Sequence, residues 1–243
     1  MYHHRFRLVY DTDPAAGPGR MESVMEALGN RYPIVVPEPA GEEEALLVHH
    51  PQHLARVKRH KAVYEMALLA VGGAIKAAEL ALTGEPAFAA VRPPGHHASP
   101  NYAWDFCWLN NVAVAVQKLR REGRVNRVLV VDFDLHYGDG TANAFEGVPE
   151  VTYWHLAGGS RERFFDDLER SLEKAGEAEL LAVSAGFDRH EEDWGGLLRT
   201  EDYRTIGARL KSTGLPVFAV LEGGYNHLAL GVSVRAFLEG LAQ

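Results

Sequence analysis

Val128-Leu129-Val130-Val131-Asp132-Phe133-Asp134-Leu135-His136-Tyr137-Gly138-Asp139-Gly140 is a run of β-formers that passes into three carboxylates and an imidazole. Its apolar part does not alternate with polar residues, which is the pattern of a strand covered on both faces, as in a parallel sheet. If the extended conformation continues, Asp132, Asp134 and His136 project from one face while Phe133 and Leu135 pack on the other. Gly138 and Gly140 permit a tight turn that brings Asp139 back toward the same space. The segment fits a metal site at a strand end. Taken alone, it fits equally a strand followed by a polar turn, where Asp and Gly are common.

Working outward, similar short apolar runs predict strands at Phe6–Tyr10, Ile34–Val36, Phe88–Val91, Val128–Phe133, Val151–Trp154, Leu180–Ser184 and Val217–Leu221. Helical patterns lie between them at Met21–Leu28, Leu54–Leu82, Asn110–Arg121, Arg161–Lys174, Thr200–Ser212 and His227–Leu241. This alternation predicts a doubly wound α/β fold, a mainly parallel sheet with helices on both faces. Ligands of such sheets bind beyond the carboxyl ends of the strands. Polar residues accumulate there in four segments: RPPGHHASP after Val91, DFDLHYGDG after Val131, SAGFDRHEED after Val183 and LEGGYN after Val220.

The 243 residues are 47% hydrophobic, enough for a substantial core, and no linker or repeat divides them, so a single domain over residues 1–243 is expected. A net charge of −8 argues against a nucleic-acid partner and for cationic substrates. The lone Cys107 excludes an internal disulfide and a multi-cysteine metal site, and is read as a small buried apolar residue. Neither a signal peptide nor a membrane-length apolar run is legible, so a cytoplasmic location is expected by default.

A catalytic zinc takes three protein ligands and leaves a position for water and substrate. Asp134, His136 and Asp188 can supply that set; two carboxylates and a neutral imidazole nearly cancel a divalent charge. Asp188 alone is also readable as a turn residue capping the next helix, and His190-Glu191-Glu192-Asp193 as a solvated acidic turn. His96 and His97, held by the stiff Arg92-Pro93-Pro94-Gly95 connection, are candidate proton shuttles. Histidine pairs are weak evidence here, because His3-His4 and His49-His50 are also pairs. Asp132 and Asp139 remain to back the two imidazoles. Tyr225, displayed by Gly223-Gly224, suits an oxyanion donor, with a packed turn aromatic as the plainer reading.

Together RPPGHHA, DFCWLNN, VDFDLHYGDGT, SAGFD and LEGGYN, in this order, resemble the zinc-dependent histone deacetylase family, which includes acetylpolyamine amidohydrolases and acetoin-utilisation proteins. The resemblance extends more loosely from LVYD to the last helix. It implies an arginase/deacetylase-type fold and a zinc-dependent amidohydrolase that removes an acyl group from an amine such as acetyl-lysine or acetylpolyamine. The family's zinc ligands fall on Asp134, His136 and Asp188, its histidine pair on His96 and His97, the backing carboxylates on Asp132 and Asp139, and the carbonyl-polarising tyrosine on Tyr225. One zinc per chain is implied, with iron(II) or cobalt(II) as substitutes. The substrate channel would include Phe106, Asp105 and Gly224, and the partner would be a small molecule or peptide bearing an N-acyl amine, with no nucleic acid or membrane involved.

Departures from the family pattern matter as well. Tyr137 stands where a second His is common, and Asp105 replaces a common Gly. Tyr153 occupies the position of a serine that helps bind a structural potassium ion, leaving that ion an open expectation. The loops at Gly17–Arg20, between His53 and Tyr64, and after His155 are short, which predicts an open mouth and weak peptide recognition. Two alternatives stand beside the main reading: a di-manganese ureohydrolase of the same fold, and a non-catalytic acyl-lysine-binding relative.

Overall fold

The computed structural model describes residues 1–243. Five strands, β1 (Ala87–Ala89), β2 (Val128–Asp132), β3 (Val151–His155), β4 (Leu180–Ala185) and β5 (Val217–Leu221), form one all-parallel sheet in the order β1-β5-β4-β2-β3. Every residue of β2, β4 and β5 is buried, so both faces of the central strands are covered, as their unalternating apolar runs require. Val130 lies opposite Ala182 on one side and Tyr153 on the other.

Nine helices surround the sheet: α1 (Arg20–Leu28), α2 (Glu42–Ala45), α3 (Pro51–Lys58), α4 (Lys61–Ala81), α5 (Asn111–Arg121), α6 (Asp139–Ala144), α7 (Arg161–Leu172), α8 (Thr200–Ser212) and α9 (His227–Leu241). Helices α1, α8 and α9 pack together, as do α3, α4 and α5, with α4 against β1 and β5. Asn110 caps α5 through Ala113 N, and Asn226 caps α9 through Leu228 N and Ala229 N. No helix is long and apolar enough to cross a membrane.

Two predicted strands are absent. Phe6–Tyr10 begins in a 3-10 turn over His4–Arg7, and Leu8 and Val9 are exposed. Ile34–Val36 reaches the sheet edge indirectly, through residues 1 and 2: Tyr2 N donates to Val35 O, Ala90 N donates to Met1 O, and the Met1 amino group donates to Phe88 O. Pro33 and Pro37 flank that segment and lack the N–H groups a ladder needs. The single helix expected over Leu54–Leu82 is two, because His60 leaves helical geometry at ψ 76° between α3 and α4.

The strand order places β2, β4 and β5 side by side, with β1 next to β5. All four segments that carry the polar motifs therefore leave the sheet at one edge.

Candidate metal and catalytic site

At the end of β2 the chain does not stay extended, which corrects the expectation of one shared strand face. Asp132 Oδ1 accepts from Asp134 N at 3.0 Å, and Asp134 Oδ1 accepts from His136 N at 2.9 Å. These consecutive side-chain-to-backbone turns curl the segment, sending Asp132 toward His96 and Asp134 toward His136. Asp188, from the end of β4, joins them: its Oδ1 accepts from Leu135 N at 3.0 Å, and its Oδ2 lies 3.1 Å from His136 Nδ1. His136 Nδ1 is also 3.2 Å from Asp134 Oδ1.

The donor atoms of Asp134, His136 and Asp188 all lie within 4.8 Å of one another. Asp188 Oδ2 is buried without a hydrogen bond, and such an orphaned acceptor invites a cation. The backbone closes tightly around the carboxylates: a Cβ on Gly186 would stand 2.2 Å from Asp134 Oδ2, and one on Gly223 2.8 Å from Asp188 Oδ2. Gly223 N donates to Asp134 Oδ2 at 2.8 Å. Burial, and then the Asp134 charge, push Asp188 up to about 7, while the hydrogen bond to Asp134 and the adjacent Asp188 carboxylate raise His136 to about 10. For Asp134, burial opposes ionisation but is outweighed by His96 and His136, which hold it well below the carboxylate range. Two buried carboxylates sharing one imidazole proton fit a divalent cation in that proton's place.

The histidine loop follows β1. Arg92, fully buried, donates to the carbonyls of Leu8, Ala15 and Gly17. Gly95 N and His96 N both donate to Glu222 Oε2, at 2.6 and 3.2 Å. His96 Nδ1 lies 3.1 Å from Asp132 Oδ2, and His97 Nδ1 lies 2.7 Å from Asp139 Oδ1. Each imidazole therefore has one of the two carboxylates beside it, and the structure assigns Asp132 to His96 and Asp139 to His97. Burial opposes the charge on His96, but Asp134 and Asp132 outweigh it and raise that ring well above the usual value. Burial and then the His96 charge lower His97, whose Nε2 is buried and unpartnered. The two imidazoles are thus shifted in opposite directions, His96 toward its charged form and His97 toward its neutral one.

Tyr225 follows β5 behind Gly224, whose φ of +118° favours glycine. Burial and the Asp134 charge push its phenol well above the usual range, so it remains a proton donor at neutral pH. Its ring stacks on Trp194 with centroids 4.1 Å apart and meets Phe106 edge-on at 5.6 Å. Phe106 therefore stands beside the tyrosine. Asp105 is exposed at φ +53°, a left-handed backbone that suits the glycine it replaces and that Asp tolerates better than most residues, and it lines a hollow of about 270 Å³ with His53, Arg56 and His60.

Several residues here were not foreseen. Arg20, fully buried, holds the carbonyls of Glu222 and Gly224; Asp193 Oδ2 accepts from Tyr225 N and Asn226 N, each at 2.7 Å, so it is not merely a solvated turn residue. His190 is likewise buried, against Thr200 Oγ1 at 3.1 Å, whereas Glu191 and Glu192 are exposed as expected. Trp104 Nε1 donates to Asp139. The signal for Glu222 was present in LEGGYN: a carboxylate beside two glycines in an apolar strand end needs a partner.

Tyr153 OH donates to Asp132 Oδ2 and accepts from Gly138 N, both at 2.9 Å. Arg189 fills the space nearby, donating to the carbonyls of Phe133, Asp134, Leu135 and Leu156. An apolar cavity of about 310 Å³ against Tyr2, Met25, Tyr32 and Phe88 contains none of the site residues.

The profile of the histone deacetylase domain matches residues 15–165. The chain is 31% identical to a probable deacetylase of Methanothermobacter thermautotrophicus, over 92% of this chain and 84% of that protein. It is also 31% identical to the acetylpolyamine amidohydrolase of Mycoplana ramosa, over 74% of this chain and 63% of that one. The fold superposes on the crystal structure of an acetylpolyamine aminohydrolase from Burkholderia pseudomallei with a TM-score of 0.83, at 23% identity, covering 93% of this chain and 90% of that one.

Proposed function

The chain belongs to the histone deacetylase family, and from that premise we propose that it is a zinc-dependent hydrolase of N-acyl amines such as acetyl-lysine or acetylpolyamine. Its sheet, parallel and flanked by helices, is of the arginase/deacetylase type. The observation that carries the proposal is the three-donor cluster of Asp134, His136 and Asp188, with its orphaned carboxylate oxygen, facing two imidazoles that each have their own carboxylate.

When bound by Asp134, His136 and Asp188, zinc would supply Lewis acidity toward the acyl carbonyl and acidify a water. His97 accepts the water's proton at Nε2, since its Nδ1–H is committed to Asp139 Oδ1. His96, held cationic between Asp132 and Asp134, stabilises negative charge as it develops. Tyr225 donates its hydroxyl proton in a hydrogen bond to the carbonyl oxygen as that oxygen becomes anionic. His97 then returns its proton to the departing amine.

The ureohydrolase alternative is disfavoured by His190, which stands two residues after Asp188 and is hydrogen-bonded to Thr200 rather than turned to the cluster. The test is acetate release from acetyl-lysine peptides and acetylpolyamines by zinc-loaded and chelated protein, with metal analysis of the same sample. The expected result is chelation-sensitive release with about one ion per chain. No release from any substrate, with a hydroxamate still bound tightly, favours the non-catalytic reading, and two ions per chain favours the ureohydrolase.

A further inference from the structure

We propose that Trp104 is a positioning residue for His97, acting through the Asp139 carboxylate; its kinetic consequence rests on the deacetylase reading above. Trp104 Nε1 lies 2.9 Å from Asp139 Oδ2 and 3.1 Å from Oδ1, the oxygen that receives His97 Nδ1. The same indole lies over the imidazole, with ring centroids 4.1 Å apart and an interplanar angle of 39°. One side chain therefore grips both members of the pair.

Trp104 is 49% exposed, and an indole in that position gains only part of its burial energy. Its single polar atom nevertheless points inward, to the carboxylate. His97 is 1% exposed although its partner carboxylate reaches the surface, with the Asp139 side chain at 26%. A partly hydrated carboxylate rotates freely unless a second donor fixes it, and a rotated Asp139 leaves Nδ1 without its acceptor. The second pair in the site is built on the same plan: Tyr153 OH donates to Asp132, the partner of His96. Tyr102 OH adds a long contact of 3.4 Å to Asp139 Oδ2. The two imidazoles thus each have a carboxylate, and each carboxylate has an aromatic donor.

Trp104→Phe keeps a ring over His97 and removes the N–H. We expect kcat to fall about three- to tenfold, KM to stay within about twofold and the melting temperature to stay near wild type. In an Asp139→Asn background, where a single acceptor oxygen remains, Trp104→Phe should cause no further loss. A separate measurement on metal-free protein is the indole N–H resonance that Trp104→Phe deletes. It should be shifted downfield and protected from exchange, and Asp139→Asn should abolish both properties. A wild-type kcat in Trp104→Phe, an equal loss in both backgrounds, or an unshifted and rapidly exchanging indole overturns the proposal. If the unmutated protein releases no acetate from any substrate, the deacetylase reading fails, and the indole resonance alone decides the grip on Asp139.

Discussion

The opposite behaviour of two adjacent histidines follows from what each faces. His96 lies between two buried carboxylates that favour its charged form; His97 is buried beside that ring and has one, partly exposed, carboxylate, and it shifts toward its neutral form. Tyr225 is the one hydroxyl donor of the proposed mechanism, so Tyr225→Phe should lower kcat roughly a hundredfold or more with the fold intact, as judged by circular dichroism beside the assay. Glu222 is pushed up to about 7 by burial, yet its Oε2 still accepts two backbone N–H bonds from the histidine loop. Glu222→Ala should reduce kcat by about tenfold or more through the freed loop, whereas Glu222→Gln, which keeps an acceptor, should recover most of it. Asp134, His136 and Asp188 were legible because their residue types suit a metal. Glu222 carried a signal in LEGGYN but no legible partner, and Trp104 carried no signal, since each acts on a partner far along the chain or through a carboxylate already assigned elsewhere.

Elements were legible where periodicity and capping agreed. The helices over Thr200–Ser212 and His227–Leu241 stand where the pattern put them, and each starts at a capping side chain or its equivalent. The two absent strands fail because an apolar run is no strand without a partner to complete its ladder. The end of β2 shows the converse, since its alternation ends where Asp132 and Asp134 bond their own backbone. Arg189 ties that curl to the end of β3 through four carbonyls. Arg189→Ala leaves these acceptors without their donor, and metal-free protein should lose about 3 kcal/mol in urea unfolding. Because a guanidinium already sits among the carbonyls, exchanging sodium for potassium should leave the wild-type melting temperature unchanged. His49 joins elements too: its Nδ1 lies 3.1 Å from Ser99 O, and its Nε2 accepts from Asn110 N at 2.9 Å. Burial lowers it to about 3. The unfolded chain therefore binds the extra proton between about pH 6.5 and 3, so stability present above that window is lost as pH falls through it, by up to about 1.4 kcal/mol per pH unit. His49→Gln should show a shallower loss of unfolding free energy between pH 7 and 5.

At the scale of the molecule, folding confines two carboxylates and an imidazole at one edge of a parallel sheet, and a divalent cation would relieve that confinement. Zinc loading should raise the melting temperature and EDTA should reverse the rise. Affinity should weaken as pH falls, because binding displaces the proton that Asp134 and Asp188 hold on His136; isothermal titration at several pH values would measure it. The short loops predict an open mouth; in the structure the half-exposed Trp104 stands against His97 and the half-exposed Trp194 against Tyr225. By itself the sequence determined the fold class, through unalternating strands separated by helical runs, and gathered the candidate site residues at strand ends, from which the proposed chemistry is read. Tertiary structure alone decided which carboxylate serves which imidazole, that Glu222, Arg20 and Asp193 brace the loops of the candidate site, and that Arg189 occupies the carbonyls behind the Asp134, His136 and Asp188 cluster. These are contacts between segments tens to hundreds of residues apart, and only the strand order β1-β5-β4-β2-β3 brings them within hydrogen-bonding distance.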